Sequence, residues 1–208
     1  MAKNLIMNEK KLTRSDMKRI AIVDAATLEF QLKGFKIASM DDIAKRAQVS
    51  KRTVYNHFSS KEQLFNAILT QMFILLDTFE PVPYSSETPL AEQLTLLANH
   101  EITLLKTDGF ITTAKVLIAE GIHSPDLLND AMIRFSKKES PLTSWFKAAA
   151  TAGVFKTEHV DFIATQFMAV IKAFCFWPQV TQNVAFPDDK EVQRVTDAAV
   201  DMILKQYT

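Results

Sequence analysis

In Ser50-Lys51-Arg52-Thr53-Val54-Tyr55-Asn56-His57-Phe58, two apolar residues four apart are interleaved with cations, hydroxyls, an amide and an imidazole. On a helix capped by Ser50, Val54 and Phe58 share one face and turn inward. Lys51, Arg52, Thr53, Tyr55, Asn56 and His57 then face outward. Such a face is suited to recognising a polyanion: guanidinium forks and amides match base edges, while hydroxyls and an imidazole reach phosphates. An ordinary helical hairpin with a solvated polar face carries the same pattern, so the segment alone leaves both readings open.

The residues needed for bond-breaking chemistry are missing. The chain has no GxGxxG, P-loop or HExxH and no paired cysteines, and its four histidines (57, 100, 123 and 159) lack metal-ligand spacing. No catalytic residue, metal or cofactor is expected. Cys175 is the single cysteine, set in the apolar run Ala173-Phe174-Cys175-Phe176-Trp177 where a buried thiol is the usual occupant. A cytoplasmic location is the corresponding expectation. The first 14 residues lack the apolar core and cleavage site of an export signal, and no 18 uncharged apolar residues run together, so neither export nor membrane spanning is expected.

The outward-facing residues need a helical frame. Four Gly against eight Met and fifteen Phe, in a chain of 208 residues that is 48% hydrophobic, predicts an all-α protein with a real core. A first helix is expected from about Ser15 to Lys33, with Ile20, Val23, Ala26, Leu28 and Phe30 on its apolar side and Gly34 as its stop. Ser39 caps a short second helix ending near Ala47, and Asp41 and Asp42 complement its dipole. Ile43, Ala44, Ala47 and Val49 join Val54 and Phe58 inside the corner. Ser59 with Glu62 reads as a capping box for a long fourth helix, about 60 to 79. After a loop at 80 to 89, further helices are expected near 89–107, 110–122, 125–138, 141–152, 158–177 and 188–206, nine to ten in all.

Charge divides the chain as the helices do. Residues 1–65 carry 13 Lys+Arg and 7 Asp+Glu, a net +6, and residues 66–208 balance it with −6. The basic part, including a flexible arm of about 13 residues, is the candidate to meet DNA phosphates. Two domains are expected: a helix-turn-helix unit over 1–65 and a helical unit over 66–208.

The stretch from Ile20 to Leu69 resembles the DNA-binding domain of TetR-family regulators. The resemblance rests on Gly34-Phe35, Met40-Asp41-Asp42-Ile43-Ala44, Val49-Ser50-Lys51-Arg52-Thr53-Val54-Tyr55-Asn56-His57-Phe58 and Ser60-Lys61-Glu62-Gln63-Leu64-Phe65. It implies a ligand-responsive regulator, typically a repressor, that binds a palindromic operator as a homodimer. By the same resemblance Lys51, Arg52 and Asn56 face base edges, while Thr53, Tyr55, His57, Lys61 and the helix starts near Ser39, Met40 and Ser50 lie at phosphates. His57 also fits a half-buried structural role. Gln48 departs from the family pattern, in which Gly is common in the turn, so a strained or altered backbone is expected there.

Two stretches of the acidic part resemble the AefR-like branch: Ala164-Thr165-Gln166-Phe167 through Ala173-Phe174-Cys175-Phe176-Trp177-Pro178, and Met202-Ile203-Leu204-Lys205-Gln206-Tyr207. The family picture implies that the last two long helices form the dimer interface, through Ala169 and Ala173 on one and Val192, Val195, Ala199, Met202 and Ile203 on the other. A purely intramolecular core stripe reads the same way. Phe73, Met132, Phe135, Trp145, Met168 and Trp177 are candidate walls for a small apolar or aromatic effector, although core packing is the usual fate of such residues. Glu101 falls inside a leucine stripe and Gln166 on an apolar face. Pairing of Glu101 with Lys115 or Arg134, or a stripe exposed at that turn, is the plainer explanation, and a pocket wall facing a cationic or hydroxylated ligand the other. The competing functions are a constitutive DNA-binding dimer without an effector and a helical interaction module.

Overall fold

A computed structural model describes residues 13–77, 82–125, 129, 140–156 and 159–208. The expected basic arm, nearly all of the expected 125–138 helix, and Met132, Arg134 and Phe135 lie outside these residues. Every regular element among the described residues is a helix: α1 Arg14–Lys33, α2 Met40–Arg46, α3 Lys51–His57, α4 Lys61–Asp77, α5 Leu90–Lys106, α6 Phe110–His123, α7 Pro141–Thr151, α8 Val160–Cys175, α9 Trp177–Thr181 and α10 Asp189–Tyr207.

The caps explain most of these boundaries. Thr13 and Asp16 form a reciprocal capping box that starts α1 at Arg14, and Gly34 at φ 77° ends it. Ser39, Ser50, Ser140 and Asp188 each accept a backbone N–H from the first turn of α2, α3, α7 and α10. The cap of α4 differs from the expectation by one residue. Ser60 Oγ, not Ser59, accepts from the Gln63 N–H, and Gln63 Oε1 reaches back to the N–H of Ser59. Glu62 is not the reciprocal partner, although it bonds Ser60 and its carboxyl is thereby held below its ordinary range.

The expected 158–177 helix is interrupted. α8 stops at Cys175, and Phe176 leaves helical geometry at φ −139°, ψ −63°. Pro178 is the cause, because it cannot donate to the carbonyl four residues back and its ring collides with that group. That carbonyl belongs to Phe174, and the side-chain Nε2 of Gln179 donates to it instead at 3.1 Å.

The chain forms two compact units, residues 1–78 with 112–137 and residues 79–111 with 138–208. The first includes the described parts of α1 to α4 and most of α6, so the border expected after residue 65 falls within α4. Its core includes Ile22, Val23, Ala26 and Phe30 of α1, Ile43 and Ala44 of α2, Val54 of α3, Phe58, Leu64, Phe65, Ile68 and Leu69 of α4, and Val116 and Leu117 of α6. Ile20 and Leu28, expected in this core, are exposed, and Ile22 takes their place. The spacing 22, 23, 26, 30 follows one face, from which 20 and 28 are rotated away. In the second unit α10 packs on α5 and α8, and α7 packs on α8. Trp145, Phe146, Ile163, Phe167 and Ile171 are fully buried there.

Candidate nucleic-acid interface

The corner between α2 and α3 forms despite the absence of glycine. Gln48 takes φ +55°, its N–H donates to the Lys45 carbonyl, and the Val49 N–H donates to the Ala44 carbonyl, both at 3.1 Å. These two bonds make a complete Schellman termination. The turn keeps a glycine-like backbone and carries its conformational cost in Gln48.

This corner presents α3 as the outward-facing pattern requires. Val54 is fully buried and Phe58 nearly so, while Lys51, Arg52, Tyr55 and Asn56 are exposed and Thr53 and His57 half-buried. Ser50 Oγ caps the Thr53 N–H at 3.1 Å and bonds the Thr53 hydroxyl at 2.8 Å, which orients both hydroxyls at the helix start. Arg19 of α1 lies 4.8 Å from the centre of the Phe58 ring, steadying the other end. Ser39 is half-buried at the cap of α2. The Met40 side chain is buried, so only its backbone can meet a ligand.

Four ion pairs and a lysine held by carbonyls lie around this face without a counterpart in the sequence analysis. Glu29, buried in α1, bonds Arg46 Nε at 2.7 Å and Lys33 Nζ at 2.9 Å, and Lys33 continues to Asp42 at 3.0 Å. Asp42 also accepts from the Ser39 hydroxyl. The Lys33 and Arg46 side chains hold the Glu29 carboxyl below its ordinary range against the opposing effect of burial. Glu29 lies seven residues after Ile22 and so on the buried face, which is the one sign of this contact in the sequence. Lys51 pairs with Asp41 at 2.7 Å. Lys61 Nζ donates to the carbonyls of Phe35 and Lys36 and sits 5.0 Å from the centre of the Phe35 ring.

Residues 22–68 match the family described as bacterial regulatory proteins of the tetR family, and residues 92–208, more than half of the chain, match the AefR-like transcriptional repressor C-terminal domain. The chain belongs to the TetR family. A TetR-family regulator of Pseudomonas syringae is similar over 94% of this chain and 98% of its own, with 40% identity and a TM-score of 0.78. A second, from Mesorhizobium loti, has 26% identity and a TM-score of 0.71 over 94% of this chain and 99% of its own. Among curated proteins the HTH-type regulator YhgD of Bacillus subtilis is 44% identical over 57 residues, 27% of this chain and 29% of that protein. The first curated relatives are matched over less than a third of their own length. The TetR family consists of transcriptional regulators, not enzymes, and binds DNA through a helix-turn-helix.

The described residues expected to line a ligand site fall in both units, Phe73 in the first and the others in the second. Trp145 is buried, edge-on to Tyr84 and Phe146, and its Nε1 has no hydrogen-bond partner among the described residues. Glu101 is half-buried, and burial pushes its carboxyl above the ordinary range, partly offset by Lys172. Gln166 accepts from the Tyr207 hydroxyl. Met168 is half-buried and Trp177 is 47% exposed. Phe73 packs on the core of the first unit. Of the expected interface residues, Val195, Ala199 and Ile203 are at most 2% exposed within their own chain, so the stripe they form is a core stripe. Val192 and Met202 are half-buried. Ala169 and Ala173 are exposed on α8, in line with Phe162, which is 58% exposed and was not anticipated. The described residues of this TetR-family chain include no helix long and apolar enough to cross a membrane and no cluster of metal-binding side chains.

Proposed function

We propose that this TetR-family protein is a repressor that binds a roughly palindromic operator as a homodimer and is released by a small, largely apolar or aromatic effector. The observation that carries this reading is α3, a capped two-turn helix fixed by Val54 on the inside and presenting Lys51, Arg52, Tyr55 and Asn56 outside. Lys51, Arg52 and Asn56 meet base edges, and Thr53, Tyr55, His57, Ser50, Ser39 and the Met40 backbone meet phosphates. Lys61 spends two of its three N–H donors on carbonyls and has a third for a phosphate. DNA binding resides in the first unit, and effector binding and dimerisation in the second.

Repression is supported by the description of the matched C-terminal domain. Dimerisation is supported by the exposed apolar line Phe162, Ala169 and Ala173, whose small residues permit close helix approach. An effector is supported by Trp145 Nε1, a buried donor that a ligand acceptor can satisfy. The effector must favour the DNA-incompetent arrangement, with a coupling of about 1–3 kcal/mol that acts equally in both directions.

The test is electrophoretic retardation of the DNA flanking the protein's own gene, then titration with apolar and aromatic compounds that raise the melting temperature. A retarded complex that such compounds dissolve is expected. No retardation at low salt removes the operator reading, and binding compounds without effect on the complex leave a constitutive DNA-binding dimer.

A further inference from the structure

Trp145 carries one hydrogen-bonding group, its Nε1–H, into an apolar core. The residue is 2% exposed, and among the described residues no acceptor meets this donor. Tyr84 and Phe146 stand edge-on to its ring, with centres 5.7 and 5.1 Å away. An N–H that has given up water without gaining a partner is destabilising, and a water trapped beside it would need further polar partners of its own.

The two rings cover the indole differently. Phe146 is fully buried, whereas Tyr84 is half-buried and so stands between the indole and solvent. Tyr84 lies on the connector before α5, immediately ahead of a clasp. The buried Gln93 side chain accepts from the Ser85 N–H at 2.9 Å and donates to the Ser85 and Thr88 carbonyls at 2.7 Å each. This clasp fixes residues 85–88 to the start of α5 and leaves the Tyr84 ring outside it, so the ring can turn off the indole while the connector stays in place.

The chemistry that suits the uncovered donor is narrow. An indole N–H donates and does not accept, so an ammonium group gains nothing from it. A carboxylate would be stripped of water without a cation to replace it. Lys147, two residues along α7, is on another face of that helix, is 50% exposed and lies 3.7 Å from Asp161. A hydrocarbon leaves the donor unpaired. A neutral carbonyl on an apolar or aromatic body satisfies it.

We infer that Trp145 is the specificity-determining residue of the effector site: the effector displaces the Tyr84 ring and carries a neutral carbonyl that accepts from Nε1. The inference rests on the reading of the second unit as the effector-binding one and narrows the effector to carbonyl compounds, excluding carboxylates and plain hydrocarbons.

The experiment uses the isotope-labelled full-length chain, whose proton–nitrogen spectrum has two indole signals, from Trp145 and Trp177, assigned with Trp177→Phe. The probes are acetophenone, ethylbenzene and benzoate, similar in size and different in the group attached to the ring. Acetophenone is expected to move the Trp145 indole proton downfield, as a new hydrogen bond does, and to bind about fivefold or more tightly than ethylbenzene. Benzoate should not bind. Trp145→Phe should lose the preference for acetophenone over ethylbenzene, and Tyr84→Ala, which removes the cover in advance, should bind acetophenone about threefold or more tightly. No acetophenone binding, equal affinity for acetophenone and ethylbenzene, benzoate binding as tightly as acetophenone, or binding that leaves the Trp145 signal in place would each overturn the inference. These wild-type readouts stand whether or not a variant folds. Weaker acetophenone binding by a folded Tyr84→Ala would overturn the displacement of the ring. Operator retardation is followed in parallel. A Trp145 shift with the DNA complex intact would support the site and remove its effector role, whereas compounds that release DNA without moving the Trp145 signal would support the effector reading and overturn this inference.

Discussion

Lys61 Nζ donates to the carbonyl oxygen of Phe35 at 2.7 Å and lies over the ring of the same residue. The first residue of α4 is thereby fastened to the connector between α1 and α2, and the positive charge at the start of a helix is stabilised by two carbonyls and a π-face.

Lys61→Met should therefore act on folding as well as on DNA. A loss of about 1–2 kcal/mol in urea unfolding is expected from the two charge-assisted bonds, with a uniform weakening on all DNA sequences. Arg52→Ala should leave stability within about 0.5 kcal/mol and cost about 1–3 kcal/mol on the operator alone. Equal losses for Arg52→Ala on operator and scrambled DNA would argue against base reading, and unaltered unfolding of Lys61→Met against the fastening.

Gln48→Gly should stabilise the protein. A side chain at φ +55° costs about 1–2 kcal/mol, and part of the gain is offset by the greater freedom of glycine in the unfolded chain. A rise of about 0.5–1 kcal/mol in unfolding free energy is expected, with the helix-turn-helix otherwise unchanged. A lower melting temperature for Gln48→Gly would contradict it.

The ionic junction of Glu29 with Lys33 and Arg46 predicts a specific acid sensitivity. The Glu29 carboxyl titrates below its ordinary 4.5 in the folded chain. Its stabilisation is thus present above about that pH and is lost as pH falls through the lower folded value. Lys33 is shifted the opposite way, above 10.5, so its contribution is present below that pH and fades as pH rises through the folded value. Glu29→Gln should be less stable than wild type at neutral pH and converge with it in acid. Parallel stability curves from pH 7 to pH 3 would contradict the assignment.

The exposed line on α8 predicts how the proposed homodimer would be broken. Ala169→Glu, or Phe162→Glu, should yield a folded monomer in light scattering at micromolar concentration, because a carboxylate on a closely packed seam is desolvated without a partner. Operator affinity should fall with it, since the two recognition helices need a spacing of about 34–36 Å or a longer operator. Ile203→Glu should instead unfold the chain, because Ile203 is fully buried within it. A stable wild-type monomer would exclude the homodimer.

The helix-turn-helix was legible because its signals are local. Ser39 and Ser50 cap the helices they precede, and Val54 and Phe58 set the face of α3 within four residues. Contacts distant along the chain were less legible: the bond from Glu29 to Arg46 spans 17 residues and that from Lys61 to Phe35 spans 26. Ile20 and Leu28 are apolar like the buried residues but, at about 100° per residue, lie about 100° or more from the face of Ile22, Val23, Ala26 and Phe30. The stripe Val195, Ala199, Ile203 fits a core and an interface alike, and burial inside the single chain distinguishes them. Ser59 and Ser60 are adjacent cap candidates, and Gln63 distinguishes them: its N–H bonds Ser60 Oγ while its side chain accepts from the Ser59 N–H.

Pro178 and Gln179 constrain the order in which this sequence can change. The proline leaves the Phe174 carbonyl without its helical donor, and the neighbouring amide supplies one while also bonding the Ala185 carbonyl. Losing the proline first lets a backbone N–H resume the task, after which Gln179 is free to vary at that carbonyl. Losing the glutamine first strands the acceptor. The two positions are thus an epistatic pair with a preferred direction, and a homologue in which this helix runs unbroken is expected to have abandoned the proline before the glutamine.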